Sequence, residues 1–307
     1  MTAAVKTNPG FASRLVNGVL AIKPLANLAK HQARQMMIKR AERIGVPWTQ
    51  EVETLQARDW KTDLTQIENP QLSYPDYYVT SFHAYETGNL SWQAAFEVEP
   101  AAYAVHAKVW QGTEEAQGDP MLRQSYHNIL KSQIPNEPQD ILDVGCSVGL
   151  STFAMQEIYP HAQITGLDLS PYFLAVANYR AGQRQAKINW LHAQAESTGL
   201  PDASFDLVSI FLMCHELPQS ATRQIFAEMR RVLRPGGYLA IMDMNPNSEV
   251  YQKMPAYILT LLKSTEPYLD EYFALDIQQA IVEAGFQTHT ITNNTHRHRT
   301  VIAQVGG

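Results

Sequence analysis

The sequence is short of cysteine: Cys146 and Cys214 are the only two in 307 residues. Two thiols cannot build a disulfide framework, and their scarcity suits a reducing, cytoplasmic compartment. Both stand at the ends of apolar runs, which reads as small buried thiols rather than a redox pair. Metal-ligand spacing is missing as well. His215-Glu216 begins like a zinc-helix motif, but position 219 is Gln where the second His would stand. His296 and His298 lack further ligands beside them, so no metal is expected. Long apolar runs are absent too. The N-terminal one is too short for a bilayer span and is interrupted by Lys23. No small-residue cleavage site clearly follows it, so a secretory leader is not expected. Positive charge is scarce beyond the first 45 residues. Residues 1–45 carry eight Lys/Arg against one acid, Glu42, a net +7; the remainder carries 16 against 29, a net −13. An acidic body is a poor match for a polyanion, which argues against nucleic acid as a partner.

What is present centres on residues 140–150. Ile141, Leu142 and Val144 form a short apolar run of the kind found in buried parallel strands. Gly145 and Gly149 follow, with Cys146 and Ser147 between them, and then a helical pattern over Ser151–Ile158. Strand, glycine turn and helix open a Rossmann-like unit, in which the turn brings backbone N–H groups close to a ligand. Asp143 adds a carboxylate at the strand's end. Gln163–Asp168 is the expected second strand, and its terminal Asp168, followed by Leu169, is an acceptor-only group suited to a ribose diol. Ser170 is the expected N-cap of the next helix, with Pro171 in its first turn. The dinucleotide fingerprint G-x-G-x-x-G is not met, because position 147 is Ser.

Four segments in order resemble class I S-adenosylmethionine-dependent methyltransferases, in the small-molecule, UbiE-like branch. They are Leu142-Asp-Val-Gly-Cys-Ser-Val-Gly149, Gly166-Leu-Asp-Leu-Ser-Pro171, Leu200-Pro-Asp-Ala-Ser-Phe-Asp-Leu-Val208 and Leu233-Arg-Pro-Gly-Gly-Tyr-Leu239. The resemblance implies a Rossmann-like α/β fold: a mostly parallel seven-stranded sheet, helices on both faces and a helical N-terminal lid. It implies S-adenosylmethionine as cofactor, held by Asp143, Gly145, Cys146, Ser147, Gly149, Asp168, Leu169, Gln194, Ala195 and Leu212. Many relatives of this kind have an acid at the place of Gln194 that accepts from the adenine amino group; the Gln194 amide oxygen can still accept, and Ala195 can offer its backbone N–H. Base-modifying relatives carry Asn-Pro-Pro-Tyr at strand four, which is absent here.

Further strands are expected at Lys187–Ala193, Ser204–Leu212 and Tyr238–Asp243, the last after a Pro235-Gly236-Gly237 turn. Helices are expected at 93–111, 119–132, Tyr172–Arg184, Ser220–Leu233 and Leu275–Ala284. A final hairpin is expected at Phe286–Thr292 and Arg299–Val305, with His296-Arg297-His298 in a solvated turn. Ligands in such folds sit at the carboxyl ends of the strands, which places His215 and Glu216, after strand four, beside the reacting centre. His215 is the expected general base, because an imidazole titrates near working pH. The aromatic stretch 74–92 is the expected lid, with Tyr77, Tyr78, His83, Tyr85, Asn89 and Trp92 as substrate contacts; residues 245–268, with Tyr257, form the opposite wall. The division is then 1–45 as a basic amphipathic helical extension, 46–135 as helical lid and cap, and 136–307 as the catalytic domain. The extension would meet a membrane surface peripherally through residues 11–45, its own core, or a twin subunit in a homodimer. The expected activity is methyl transfer to a small lipophilic or aromatic acceptor such as a quinone precursor. The alternatives are an O- or N-methyltransferase of a secondary metabolite, and a non-catalytic member that binds cofactor or a partner.

Overall fold

The computed structural model describes residues 23–81, 85–110 and 115–307, with backbone alone for 23–30 and for Thr288. The apolar positions Leu15, Val16, Val19, Leu20 and Ile22, and lid residue His83, lie outside the described residues. The first helices are α1 (Lys23–Arg43), α2 (Trp48–Gln56), α3 (Lys61–Ile67), α4 (Trp92–His106) and α5 (Gly118–Gln133). Strands and helices then alternate: β1 (Asp140–Val144), α6 (Leu150–Ile158), β2 (Gln163–Asp168), α7 (Pro171–Arg184), β3 (Ile188–His192) and β4 (Phe205–Phe211). After them come α8 (Gln219–Val232), β5 (Leu233–Met244), α9 (Glu249–Gln252), α10 (Ala256–Thr265), α11 (Leu269–Ala274), α12 (Ile277–Glu283), β6 (Thr288–Asn293) and β7 (His298–Gln304).

The seven strands form one sheet in the order β3-β2-β1-β4-β5-β7-β6. β1 to β5 run parallel, while β7 pairs antiparallel with β5 and β6, so the sheet is mixed. The order reverses between β1 and β4, and the crevice outside the carboxyl ends of those strands is where such sheets take ligands. Pleating sends alternate side chains to opposite faces. Val144, Ile210, Ile241 and Val301 meet Ile225, Phe226 and Met229 of α8 and Tyr272 of α11 on one face. Ile141, Leu207, Met242 and Ile302 meet Tyr126 of α5 and Met155 of α6 on the other. A separate core joins α1, α2 and α4 to α7, built on Trp48, Trp60 and Phe96.

Local signals explain some boundaries. The Ser170 hydroxyl accepts from Phe173 N and Pro171 opens α7. β5 differs from expectation: it starts at Leu233 and carries Pro235-Gly236-Gly237 inside it. Leu233 pairs with Phe205, and a register shift before Leu207 absorbs the bend, with Gly236 at φ +79°. The helix expected to run to 111 stops at His106. His298, expected in a solvated turn, is instead buried as the first residue of β7, with its ring centroid 6.1 Å from that of His106.

The basic helix α1 docks on its own chain over its C-terminal half. Ala41 is fully buried, Met37 and Ile38 pack on the cap core, and Arg34 Nε donates to both oxygens of the buried Glu97 of α4 at 2.9 and 3.1 Å. No helix among the described residues is long and apolar enough to cross a membrane.

Candidate functional site

The glycine turn after β1 is built from the backbone upward. Gly145 N and Cys146 N donate to Leu167 O at 2.8 and 3.0 Å, fastening the turn to β2. Gly145 has φ +69°, and a Cβ there would lie 2.4 Å from Met213 Sδ. Ser147 also adopts a left-handed conformation, φ +51°, which a side-chain-bearing residue takes at some cost. That conformation aims Ser147 N at Asp168 Oδ2, 2.8 Å away, while Asp168 Oδ1 accepts from Ser170 N at 2.8 Å. Burial raises the Asp168 carboxyl to about 6, against the N–H groups of Ser170, Ser147 and Leu169 that hold it down. Each oxygen retains acceptor capacity for a hydroxyl. Ser147 Oγ is buried beside this carboxylate without a hydrogen-bond partner. A buried polar atom left open next to this acid has capacity for a polar partner.

Two expected cofactor contacts are placed otherwise. Asp143 points to the α5–α6 face, is fully buried, and accepts from Ser151 Oγ at 2.8 Å and Thr152 Oγ1 at 2.7 Å. Strand parity turns it away from the mouth, so it anchors the first turn of α6. Gly149 is the left-handed N-cap of α6, φ +88°, and its missing Cβ makes room for Trp190 and Phe153, whose ring atoms would come within 2.9 Å. Its role is close helix–sheet packing. Cys146 and Cys214 are free and buried, and burial pushes both thiols up.

At the end of β4, Leu212 is a second left-handed residue, φ +55°, with its N–H donating to Met242 O at 2.8 Å. The chain then makes one 3-10 turn, Cys214–Glu216. His215 Nδ1 lies 2.7 Å from Asp243 Oδ1, and His215 N donates to Asp243 Oδ2 at 3.2 Å. Met244 N also donates to Asp243 Oδ1, at 2.7 Å. Burial alone would drive the imidazole down, but Asp243, with the charges of Glu266 and Glu216, pushes it up to about 10. Rather than titrating near neutrality, as expected, His215 is shifted upward by this environment, because Asp243 stabilises the protonated imidazole. Sequence reasoning missed Asp243, although an acid at the carboxyl end of a parallel strand was the available signal.

The lid segment crosses the same crevice. Asn69 N donates to His192 Nδ1 at 2.9 Å, Gln194 Nε2 donates to Ser73 O, and Tyr77 Oη donates to Glu196 Oε1 at 2.6 Å. Asn89 O accepts from Ser170 Oγ at 2.7 Å on the far side. The segment is thus tied down both at the exit of β3 and at the start of α7. Tyr78 stacks on Tyr74 with ring centroids 6.3 Å apart, and burial raises its hydroxyl, with the charges of Asp168 and Glu216 adding to it.

Three expected substrate contacts lie elsewhere. Tyr85 Oη donates to Glu97 Oε2 at 2.9 Å, inside the cap. Trp92 packs among Trp60, Phe96 and Tyr172, with centroid separations of 4.9–5.5 Å. Tyr257 is on the outer side of α10, 45% exposed. From the 245–268 segment Tyr251 and Leu262 pack on the core, and Tyr268 meets the Tyr77 ring edge-on at 6.2 Å.

Residues 141–237 match the family model described as a methyltransferase domain. The chain is 29% identical over 202 residues to the O-methyltransferase cnsE of Penicillium expansum, covering 62% of this chain and 67% of that protein. It is 31% identical over 109 residues to demethylmenaquinone methyltransferase of Thermus thermophilus, covering 36% of this chain and 49% of that protein. The match thus spans about half to two thirds of these curated relatives. In fold it is similar to Haemonchus contortus phosphoethanolamine N-methyltransferase 2 in complex with S-adenosyl-L-methionine. The TM-score is 0.52 at 15% identity, covering 76% of this chain and 61% of that one.

Proposed function

We propose, from the premise that this chain is a class I S-adenosylmethionine-dependent methyltransferase of the UbiE-like kind, that it methylates a hydroxyl of a small lipophilic or aromatic acceptor such as a quinone precursor. The observation that carries the hydroxyl is the His215–Asp243 pair beside the cofactor mouth. Such a pair serves an acceptor that must lose a proton. The names of the relatives, an O-methyltransferase and a quinone-pathway enzyme among them, point the same way.

The residues divide the work. Asp168 accepts from the ribose hydroxyls, and Ser147 offers its open Oγ to the polar part of the cofactor. When bound, the cofactor supplies a methyl already activated by its sulfonium charge. The protein then mainly aligns acceptor and donor, an ordering effect of about 7–11 kcal/mol at most. The lid, tied to Glu196 through Tyr77 and carrying the stacked Tyr74 and Tyr78 rings, covers the mouth and excludes water. Asp243 holds His215 by Nδ1, which leaves Nε2 to take the hydroxyl proton once its own has left. A cation bound alongside favours that loss.

Peripheral contact with a membrane surface through residues 11–45 is a second part of the proposal. The +7 charge of the first 45 residues and the exposed Met36 favour it; the docking of Arg34 and Ala41 on α4 favours a structural role for the rest. Flotation with anionic vesicles at low salt separates the two: full-length protein floats and a chain starting at Val46 does not, if the membrane part is right. The main test is incubation with methyl-labelled cofactor and a lipid extract. Labelled product should carry a methyl ether and should vanish with His215→Ala; a C- or N-methyl product made equally by that variant would overturn the proposal.

A further inference from the structure

We infer that Glu196, rather than Gln194, accepts the hydrogen bond of the cofactor's adenine 6-amino group. The inference rests on the cofactor reading above and deepens it. After β3 the chain turns tightly. Gln194 and Ser197 pair as an isolated antiparallel bridge, with Ser197 N donating to Gln194 O at 3.3 Å, so Ala195 and Glu196 occupy the tip. The turn is joined to the ribose acid: His192 is the register partner of Asp168, and Ala193 N donates to Asp168 O at 3.3 Å. A base attached to a ribose held by Asp168 must lie beside such a turn.

The two candidate acceptors are in different states. The Gln194 amide is turned to the lid, where Nε2 donates to Ser73 O. What remains to it is one neutral oxygen. Glu196 offers a carboxylate, with Oε1 taking the Tyr77 hydroxyl at 2.6 Å and Oε2 buried without a hydrogen-bond partner. A carboxylate oxygen accepts only, and burying one unmatched is costly, so the geometry calls for an N–H or O–H donor at Oε2. An exocyclic amine on a base seated against Ala195 supplies one. Tyr77 packs edge-on to Tyr268, so the lid holds Glu196 in place and the base is read by a carboxylate that the lid orients.

The test compares S-adenosylhomocysteine with its analogue carrying purine in place of adenine, by calorimetry. The wild-type protein should prefer the amino-bearing ligand by about 10- to 100-fold, the span expected for a hydrogen bond to a charged acceptor. Glu196→Ala should reduce that preference to about one, and Glu196→Gln, which keeps the side-chain volume, should reduce it strongly. Gln194→Ala should leave it intact, and Tyr77→Phe, which removes the lid's hydrogen bond to Glu196, should lower it by a few-fold. A preference that survives both Glu196 variants, or disappears with Gln194→Ala, overturns the inference while the cofactor reading stands. Absence of binding of either ligand by the wild-type protein would remove the cofactor reading itself.

Discussion

The helical cap and the carboxyl-end crevice both bury carboxylates, and they treat them in opposite ways. In the cap, Glu97 is 1% exposed and is enclosed by donors: Arg34 Nε, Tyr85 Oη and Gln93 Nε2 all reach it. In the crevice, Asp168 keeps open acceptor capacity, Ser147 Oγ and Glu196 Oε2 have no partner, and Ser147 and Leu212 hold left-handed backbone. A closed network rigidifies; an open one is costly unless a ligand completes it. The contrast is between these carboxylates and not between all atoms of the two regions, since Trp48 Nε1 in the cap and Asp143 Oδ1 under the sheet are also buried without a hydrogen-bond partner.

The largest effect should come from the crevice. His215→Ala is expected to lower turnover by about 10²–10⁴-fold, with cofactor affinity by calorimetry changed less than threefold, roughly 0.7 kcal/mol. A variant as fast as wild type would move His215 to the scaffold side. Next comes the cap. Trp92→Ala should lose about 3–5 kcal/mol of stability in urea melts, as large aromatic truncations in cores do, while the KM for the acceptor stays put. A KM rise without loss of stability would put Trp92 in the substrate site after all.

A smaller effect with two signs is expected at Asp168. Its carboxyl titrates at about 6 in the folded protein, above the ordinary 3.8. The folded state therefore binds more protons between those values, and the ionised form is a burden above pH 6. Asp168→Asn should stabilise the ligand-free protein at pH 7 by thermal melting, while weakening cofactor binding by about 1.5–3 kcal/mol. His215 has the reverse sense. With its imidazole raised from 6.5 to about 10, its contribution to stability is complete below 6.5 and is lost as pH rises through 10. Melting of His215→Gln and wild type should converge toward pH 10. The smallest effect is Tyr85→Phe, about 0.5–1.5 kcal/mol of stability, since Arg34 still holds Glu97.

How far the sequence revealed this contrast depended on range. The strand–turn–helix units were readable because their signals are local: the glycine turn, Ser170 before Pro171, and acids closing apolar runs. The seven-stranded sheet and its carboxyl-end mouth were what the family resemblance of those segments implied. Side-chain direction was harder. Asp143 and Asp168 both sit at a strand's carboxyl end, yet pleat parity sends the first into the α5–α6 face. The aromatic-rich lid gave no phase by which to separate Tyr77 and Tyr78, at the mouth, from Tyr85 and Trp92, in the cap core. Asp243 needed the long-range pairing of β4 with β5 before it could be set against His215.

Asp168 is proposed to make the crevice a cofactor site, and calorimetry of S-adenosylmethionine binding between pH 5 and 8 tests this most directly. Wild-type affinity should be level above about pH 6.5 and fall by up to tenfold per pH unit below about 6 as the carboxylate is protonated. Asp168→Asn should bind weakly with no such dependence. A wild-type profile that stays flat to pH 5, or an Asp168→Asn variant that binds as tightly as wild type, would contradict it.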